Sequence, residues 1–366
     1  MKILQITLDM KGGIVHYTAQ LSNALSKHGE VFVITPFGAE DKLFDKSVNL
    51  IQLHTGNVLK NFFLNTFLIN RFCLFLKTIN LLNPDIIHIQ FPHPWLCFFL
   101  PFLSKYKIVT TIHNVEPHIG SRSFDQNFAH NLHIKYSDAL IVHGDLAKSE
   151  LQNRLKESGL NKDIFVVPHG DYSFFTEISN NINYVENNTV LFFGRIVEYK
   201  GLNYLIEAAS QIVKEIPNLK VIIAGSGKIE NINVIEKLPY FEIFNYYIEN
   251  EDVGEFFQRS SVVVLPYIES TQTGIIPIAY AFKKPVVVTN VGSIPEVVED
   301  GITGYIVPPR DSKSLANAII KVLKDNKLRI QMGENAYTKM KEELSWDVIA
   351  EKTINVYKQV TEVSSN

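Results

Sequence analysis

The chain has 366 residues, of which 46% are hydrophobic, and its formal net charge is −3. A chain of this length can bury two hydrophobic cores, so two domains of ordinary size are expected, and the charge gives no global argument for binding nucleic acid. The two cysteines, Cys73 and Cys97, lie in apolar segments without neighbouring metal ligands, which is typical of a reducing cytosol and argues against a disulfide framework. Met1 and Lys2 lead directly into a hydrophobic strand, so no signal peptide is predicted.

Short β-branched segments alternate with helical patterns along the chain, in two successive sets. They lack polar alternation, as expected of parallel strands that are covered on both faces. The first set has predicted strands near residues 3–6, 31–35, 86–90, 108–112, 139–142 and 165–167. The second set has them near residues 190–193, 221–224, 241–246, 262–265, 286–289 and 305–307. The sequence therefore predicts an α/β protein with two doubly wound, Rossmann-like domains.

The domain bounds follow from composition. We place the first domain at residues 1–172, a polar and asparagine-rich linker at 173–188, and the second domain at 189–345. Ligands of such folds bind at the carboxyl ends of the strands, so we expect a site in a cleft on which the two domains face each other.

Two apolar segments of the first domain raise the question of a membrane. Residues 91–103 are too short and too rich in proline to cross a bilayer, and they predict a buried helix packed on the sheet. Residues 59–82 carry several phenylalanines among Lys60, Arg71 and Lys77. Phenylalanines at helical spacing usually belong to a core. The alternative is a helix that lies on a membrane surface or meets a lipid-linked acceptor.

Glycines and polar residues follow the strands of the first domain. Gly12 and Gly13 form a strand-to-helix turn, although the full Gly-x-Gly-x-x-Gly spacing of a dinucleotide site is missing. Gln90 and His93 follow the third predicted strand, and His113 ends the fourth. A histidine is usually structural, but one at a strand end that faces a cleft is a candidate for function.

The second domain has two cations between a hydrophobic strand and an amphipathic helix. Arg195 and Lys200 lie within the turn that begins with Gly194. Glycine lets the backbone approach a ligand closely, and the helix that follows presents amide hydrogens and a positive dipole end. Such a turn suits a pyrophosphate, and the alternative is a solvated turn whose cations face water. Gly225 and Ser226 form a second glycine turn after the next strand.

A helix start is predicted further along this domain. Pro277 lacks an amide hydrogen and is tolerated in the first turn of a helix, so a helix should begin near Thr273 or Gly274. The amides of Gly274, Ile275 and Ile276 would then be available to an anion.

In this order and spacing, the motifs resemble those of family 4 of the retaining, nucleotide-sugar-dependent glycosyltransferases, which have the two-domain GT-B fold. The similarity runs almost end to end. It is carried by the Gly12-Gly13 turn and by TIHN at 111–114, VVPHG at 166–170, GRIVEYKG at 194–201, IAGSGK at 223–228, LPYIESTQTG at 265–274 and KPVVVTNVGSIPEVVEDGITGYIVPPRD at 284–311.

The resemblance implies a hexosyltransferase that moves a sugar from a nucleoside-diphosphate sugar to a glycan or lipid-linked acceptor. Arg195 and Lys200 would neutralise the leaving pyrophosphate, His113 would lie against the transferred sugar, and the glycine turn of the first domain would close over the donor. The segment 346–366 would form a helix that returns to the first domain. We assign donor binding to Gly12, Gly13, Gly194, Gly225, Ser226, Thr273, Gly274 and Ile275, and the acceptor side to Gln90 and His93.

The implied setting is a cytoplasmic bacterial enzyme, in solution or at the inner face of the membrane, that builds surface polysaccharide or another glycoconjugate. No Asp-x-Asp motif occurs in the chain, so neither a metal nor another cofactor is predicted, and fixed cations would stabilise the leaving group instead.

One motif departs from the family pattern. The family usually has two glutamates separated by seven residues, the first near the sugar and the second on the ribose. An ungapped count puts Ser270 and Ile278 at these places. A shift of one residue would make Glu269 the sugar-side carboxylate, with Pro277 in the second place, and Glu269 is otherwise a solvated loop carboxylate. The ribose would then be held by backbone or by a residue in 245–252.

Two other functions stay open. A sugar-nucleotide epimerase of similar two-domain fold would need several carboxylates around the hexose, and the matched motifs offer only Glu269. A catalytically silent sugar-nucleotide-binding subunit would explain the missing glutamates, although Arg195, Lys200 and His113 are present. A nicotinamide enzyme fits least, because neither glycine turn has the fingerprint followed by an acidic ribose ligand.

Overall fold

A computed structural model describes residues 1–55, 69–115, 124–179, 186–230, 232–270 and 272–362. These residues form two compact units. The first unit contains residues 1–115, 124–170 and 346–362, and the second contains the described residues from Asp171 to Ser345.

The described residues of the first unit form a sheet of seven parallel strands, in the order β3-β2-β1-β4-β5-β6-β7. The strands are β1 (Lys2–Ile6), β2 (Glu30–Pro36), β3 (Asn49–Leu53), β4 (Ile86–Ile89), β5 (Lys107–Thr111), β6 (Ala139–Val142) and β7 (Asp163–Val166). The helices are Gly13–Leu25, Ile69–Leu82, Leu100–Leu103, Phe124–Tyr136, Asp145–Glu157 and Trp346–Glu362, with a 3-10 helix at Pro94–Phe98. Strand order reverses at β1, which places a topological switch point between β1 and β4.

The second unit has the same architecture on six parallel strands among its described residues, in the order β10-β9-β8-β11-β12-β13. The strands are β8 (Thr189–Phe193), β9 (Lys220–Ala224), β10 (Phe241–Phe244), β11 (Val262–Leu265), β12 (Val286–Thr289) and β13 (Gly304–Val307). The helices are Phe174–Ile178, Leu202–Glu215, Ile232–Ile235, Asn250–Arg259, Ile275–Ala281, Ile294–Val297, Ser312–Lys324 and Asn326–Glu343, with a 3-10 helix at Glu198–Lys200. The predicted α/β class with two doubly wound domains is confirmed.

Both faces of each sheet are buried, and this explains why the strands lack polar alternation. Successive side chains of a strand point to opposite faces. In β1, Ile3 belongs to the hydrophobic cluster on one face, whereas Leu4 and Ile6 belong to the cluster on the other. Every residue of β11 and β12 is buried.

The C-terminal helix Trp346–Glu362 is part of the first unit and covers one face of its sheet. The Trp346 ring packs edge-on against Tyr17, with 5.2 Å between the ring centroids. Gly170 leaves room for this indole, because a β-carbon at position 170 would lie 2.5 Å from its ring. Further along the helix, the Tyr357 hydroxyl lies 2.6 Å from Nδ1 of His88 in β4. Aromatic packing and a buried polar contact thus join the two ends of the chain within one core.

Two elements differ from the prediction. The edge strand β3 was not predicted, because its residues are only half-buried and include Asn49 and Gln52. The segment 173–188 is not simply a linker, since it contains the helix Phe174–Ile178. The Phe174 and Phe175 rings are buried, with centroids 4.1 Å apart, but the asparagines around them dominate the composition. Residues 180–185 of this segment lie outside the described residues.

The two apolar segments of the first unit are helical where they are described. Residues 91–103 bury Trp95, Phe99 and Leu100 as predicted, but Phe98 and Phe102 are exposed. The helix Ile69–Leu82 covers the second half of the segment 59–82, whose residues 59–68 lie outside the described part. Cys73, expected in apolar surroundings, is exposed on this helix. Across the described residues, the helices are too short or too polar to cross a membrane.

Candidate active site

The turn after β8 holds the two cations of the second unit in different surroundings. Arg195 is exposed, whereas Lys200 is only 9% exposed and ends the 3-10 helix Glu198–Lys200. Gly194 has a φ of +100°, and a β-carbon there would lie 2.9 Å from the Lys200 Nζ. The backbone conformation at position 194 therefore calls for glycine, and a side chain there would also displace the ammonium group.

The ammonium group of Lys200 is a buried charge with an aromatic neighbour. Its Nζ lies 5.3 Å from the centroid of the Tyr267 ring, within cation–π range. Burial lowers the pKa of Lys200 from its usual 10.5 to about 8, and the charge of Arg195 acts in the same direction. Within the described part of the chain, no carboxylate forms an ion pair with Lys200. Because buried charges are normally paired, this site is suited to an anion from outside the protein.

The second glycine turn lies directly against the cation turn. Gly194 donates its amide hydrogen to the Ala224 carbonyl at 2.9 Å, and Ile196 donates to the Ser226 carbonyl at 2.8 Å. A β-carbon at Gly225 would collide with the Gly194 carbonyl oxygen, so glycine permits this close approach. The structure therefore brings Gly194, Gly225 and Ser226 together at the carboxyl ends of β8 and β9.

The loop after β11 is tied to the same turn. Ile268 donates its amide hydrogen to the Tyr199 carbonyl at 2.7 Å. The Thr289 hydroxyl donates to the Tyr267 carbonyl at 2.6 Å, which fixes the loop from the β12 side. Glu269 is half-buried, whereas Ser270 is buried and its hydroxyl donates to the Gln272 carbonyl at 3.1 Å. The Ser270 side chain is therefore committed to its own loop.

The predicted helix after this loop is Ile275–Ala281, and Gly274 precedes its first residue. A β-carbon at Gly274 would lie 2.8 Å from the ring of Tyr172, so glycine lets this ring pack on the helix start. The expectation that the Ile275 amide is available to an anion is wrong in this conformation, because it donates to the Thr273 hydroxyl at 3.2 Å. Threonine side chains commonly bond the backbone two residues on, and this local contact competes with a ligand.

The two places that could correspond to the family's second glutamate, Pro277 and Ile278, carry no polar side chain. Pro277 and Ile278 are both buried in the helix Ile275–Ala281. Asn245, in the segment 245–252, accepts a hydrogen bond from the Gly227 amide at 3.1 Å and so lies beside the glycine turn. Contact between the 245–252 segment and the ribose stays a prediction.

In the first unit, Gly12 has a φ of +94° and precedes the helix Gly13–Leu25. Among the described residues, a β-carbon at Gly12 or at Gly13 would meet no atom within 4 Å. The backbone conformation at Gly12 is therefore what calls for glycine in this turn.

His113 follows β5 and is only 3% exposed. Its Nε2 lies 3.0 Å from the Gln90 carbonyl oxygen, and its Nδ1 lies 2.9 Å from Nε2 of His143. Burial, together with the neighbouring His143 and His169 rings, lowers the pKa of His113 well below its usual 6.5. The ring is therefore neutral at physiological pH.

Two buried histidines and one half-buried histidine surround one tyrosine in this unit. The Tyr17 ring contacts His113, His143 and His169, with centroid distances of 5.1, 5.4 and 5.0 Å. Sequence reasoning selected His113 and missed His143, although a usable signal exists. His113, His143 and His169 lie one or more residues beyond the carboxyl ends of β5, β6 and β7, so parallel strands bring them to one edge of the sheet.

The two residues assigned to the acceptor side have structural roles here. Gln90 is fully buried and its Nε2 donates to Gln5 Oε1 at 2.8 Å, so its side chain does not reach an acceptor. The sequence shows only that Gln90 ends a strand, not which way it points. His93 caps the 3-10 helix Pro94–Phe98, because its Nδ1 accepts from the Trp95 amide at 3.1 Å. Burial lowers the pKa of His93 to about 4.

Within the described ranges, His, Cys, Asp and Glu side chains form no group of three or more that could hold a metal ion.

Family models match nearly the whole chain. Residues 11–170 match the model described as Glycosyltransferase Family 4, and residues 173–339 match the model described as Glycosyl transferases group 1.

Individual proteins are similar over different lengths. An uncharacterized glycosyltransferase of Methanocaldococcus jannaschii is 33% identical over 185 residues, which is 49% of this chain and less than half, 46%, of that protein. A second uncharacterized glycosyltransferase of the same organism is 27% identical over 365 residues, 96% of this chain and 95% of that protein. Among solved structures, Anabaena HepE in complex with UDP-glucose has a TM-score of 0.69 at 17% identity, covering 100% of this chain and 99% of that chain.

The buried ammonium group gives a test of the anion site in the unliganded protein. We expect Lys200→Met to raise the free energy of unfolding at pH 7 by about 3 kcal/mol, because it replaces a desolvated charge with an apolar side chain of similar length. In the wild type, the folded-state pKa lies below the usual 10.5, so the folded state binds fewer protons between about pH 8 and 10.5. Wild-type stability should therefore rise as the pH increases through this window.

Denaturant unfolding of both proteins between pH 7 and 10.5 measures this difference. The exposed Lys214, at the end of the helix Leu202–Glu215, provides the matched control, since Lys214→Met should change stability little. A Lys200→Met variant that is less stable than the wild type at pH 7 would contradict the assignment of an unpaired buried charge.

Proposed function

Because the chain belongs to the family 4 glycosyltransferases of the GT-B fold, we propose that it transfers a sugar from a nucleoside-diphosphate sugar to a hydroxyl acceptor and retains the anomeric configuration. The observation that carries this proposal is the buried ammonium group of Lys200, which has no carboxylate partner among the described residues. The diphosphate of such a donor supplies the missing negative charge. The UDP-glucose bound to HepE, a protein of similar fold, supports this class of donor.

The reaction develops charge where the cations lie. As the bond between the anomeric carbon and the phosphate oxygen breaks, its electron pair stays on the departing nucleoside diphosphate. Lys200, with a pKa of about 8, is mostly protonated at pH 7, and Arg195 is on the same turn. Fixed charges in a desolvated site stabilise such a leaving group without reorganisation. We propose that they do so without a metal ion, in keeping with the absence of an Asp-x-Asp motif from the sequence.

In this proposal, retention of configuration follows because the leaving phosphate oxygen acts as the base. Glu269 is the only carboxylate in the loop 265–274, so this loop supplies no pair of carboxylates on opposite sides of the sugar. The phosphate oxygen that leaves lies on the face from which it departs. There it accepts the proton of the acceptor hydroxyl, while the hydroxyl oxygen bonds to the anomeric carbon on the same face.

We further propose that His113 lies against the transferred sugar. Both of its ring nitrogens have protein groups within hydrogen-bond distance, at Gln90 and at His143. Contact with the sugar therefore uses the ring carbons, unless one of these two contacts opens. The orientation of the ring then matters more than its protonation.

The acceptor side of the proposal involves one exposed helix face. On the helix Ile69–Leu82, Leu74 and Leu81 are 51% and 75% exposed, and Lys77 lies between them on the same face. Phe102, 57% exposed, lies nearby, with its ring centroid 5.7 Å from that of Phe72 on this helix. An apolar face with a basic residue suits the surface of an anionic membrane, where a lipid-linked acceptor would be met. In this proposal the enzyme works at the inner face of the membrane and builds surface glycans.

Transfer with a panel of nucleotide sugars tests the proposed function. We expect the product to keep the anomeric configuration of the donor, and we expect turnover to persist in excess EDTA. Arg195→Ala and Lys200→Ala should each lower turnover about 100-fold, the scale for loss of one group that stabilises developing charge. Proton NMR of the anomeric signal and steady-state kinetics provide the measurements.

Lys214→Ala is the control for a general effect of removing a cation, and it should keep normal turnover. An inverted product would refute retention, and strict dependence on added magnesium would refute the metal-free route. Formation of an epimerised nucleotide sugar would replace the proposal by an epimerase. Donor binding without any chemistry would replace it by a silent binding subunit.

The two alternatives for the sugar-side position, Glu269 and Ser270, predict different effects of mutation on turnover. We expect Glu269→Gln to lower turnover at least 10-fold, because a carboxylate near the sugar stabilises positive charge at the anomeric carbon. Ser270→Ala should have little effect on turnover, since its hydroxyl bonds the Gln272 carbonyl. Kinetics of both variants at saturating donor decide between these alternatives, and the opposite ranking would show that Ser270 holds the sugar-side position.

Sedimentation with vesicles tests the membrane contact. The protein should bind vesicles that contain about 30% anionic lipid and not neutral ones, because apolar contact and charge act together. The triple variant Leu74→Ser, Leu81→Ser, Phe102→Ser should lose most of this binding. Leu146→Ser, at an exposed leucine on the separate helix Asp145–Glu157, is the matched control. Equal binding by the triple variant would refute the role of this face.

A further inference from the structure

The buried His113–His143 contact has a proton requirement that neutral rings do not meet. Nε2 of His113 lies 3.0 Å from the Gln90 carbonyl oxygen, and Nδ1 of His143 lies 2.9 Å from the Val167 carbonyl oxygen. A carbonyl oxygen only accepts, so each of these two nitrogens must carry a hydrogen to form its bond. That uses the single ring proton of each neutral imidazole.

The contact between the rings needs a third proton. Nδ1 of His113 and Nε2 of His143 are 2.9 Å apart. With both carbonyl bonds made by neutral rings, two lone pairs would face each other across this distance. All three contacts are therefore made at once only when the pair carries one positive charge.

The surroundings disfavour that charge. The two rings are 3% and 7% exposed, and burial lowers the pKa of His143 to about 3. The other titratable groups that face the pair are the rings of Tyr17, His88 and His169. No carboxylate among the described residues forms an ion pair with either histidine. A neutral pair must therefore give up one of its two carbonyl bonds.

Two neutral arrangements exist. In one, both rings carry hydrogen on Nε2, so that His143 donates to His113 Nδ1, His113 donates to the Gln90 carbonyl, and the Val167 carbonyl loses its donor. In the other, both rings carry hydrogen on Nδ1, and the Gln90 carbonyl loses its donor. The first arrangement uses the tautomer that imidazole side chains favour in water.

We propose that His143 is a positioning residue for the sugar-transfer reaction, because its Nε2–H bonds Nδ1 of His113 and so fixes the Nε2–H tautomer and the orientation of that ring. This inference rests on the proposed function in one respect, namely that the His113 ring lies against the sugar. The tautomer of His113 itself depends on residues of the first unit and not on a bound sugar. The nitrogen that a partner bonds decides which nitrogen of a histidine keeps its proton, and a ring in the wrong tautomer loses function even when it stays in place.

Two amide substitutions at position 143 separate the two contacts of this ring. A Gln side chain places its amide nitrogen near the position of Nε2, so His143→Gln can still donate to His113. An Asn side chain reaches only the position of Nδ1, so His143→Asn can bond the Val167 carbonyl but not His113. Both variants remove the imidazole and are of similar polarity.

We expect His143→Asn to lower the turnover number about 10-fold, the scale for loss of a partner that orients a functional histidine, with little change in the KM for the donor. His143→Gln should restore at least half of the wild-type turnover. Long-range nitrogen–proton NMR of protein labelled with 15N at the histidine rings reads the tautomer directly, with the His113 signal identified by its loss in His113→Gln. That signal should show the Nε2–H tautomer in the wild type and in His143→Gln, and a smaller share of it in His143→Asn, where only the Gln90 carbonyl still favours it.

A His113 signal from the Nδ1–H tautomer or from a charged ring in the wild type would overturn the proposal, as would equal turnover of the Asn and Gln variants. If no form of the protein transfers a sugar from any donor, the proposed function fails. The tautomer pattern of the wild type and the two variants would then still support or overturn the assignment of His143.

Discussion

The second unit is organised around one buried charge, the ammonium group of Lys200. It lies beside the Tyr267 ring and next to Gly194, where a side chain would displace it and where the positive φ calls for glycine. That glycine in turn packs against Gly225, and the turn after β8 donates two backbone hydrogen bonds to the turn after β9. Glycine at position 225 therefore permits the close approach of the two turns that holds the loop of Lys200 in place. A charge held in this way costs stability until an anion arrives, which is typical of a site kept for binding.

The strands could be predicted from the sequence because a strand of a parallel sheet that is covered on both faces is a short, uninterrupted apolar run. A run such as Val262–Leu265 is apolar and buried at every position. The same reasoning fails where burial is partial. Strand β3 lies at the edge of its sheet and is only half-buried, so Asn49 and Gln52 are tolerated and no apolar run marks it. The helix Phe174–Ile178 is held by two buried phenylalanines that local composition conceals.

The candidate site was predictable to the extent that residue chemistry is distinctive. Arg195 and Lys200 stand out as cations between glycines, whatever their neighbours are. Local partners are different, because they depend on side-chain direction and on distances that the sequence does not contain. Thr273 bonds the Ile275 amide, and Gln90 turns its side chain into the core. In both cases a polar group close in space takes up a hydrogen-bond donor, the Ile275 amide or the Gln90 Nε2, that a ligand could otherwise use.

Burial has opposite consequences for the charge of Lys200 and for that of the histidines. Burial takes Lys200 from a pKa of 10.5 to about 8, so it keeps its charge at neutral pH. The same effect takes His143 to about 3 and His169 to about 4, so these rings lose theirs. The second unit thus offers positive charge and the first offers neutral rings around Tyr17. A diphosphate needs the former, whereas a sugar whose anomeric carbon becomes positive during transfer would be disfavoured by a charged imidazole. On the proposed function, the neutrality of the histidine cluster is therefore as much a requirement of the reaction as the charge of Lys200.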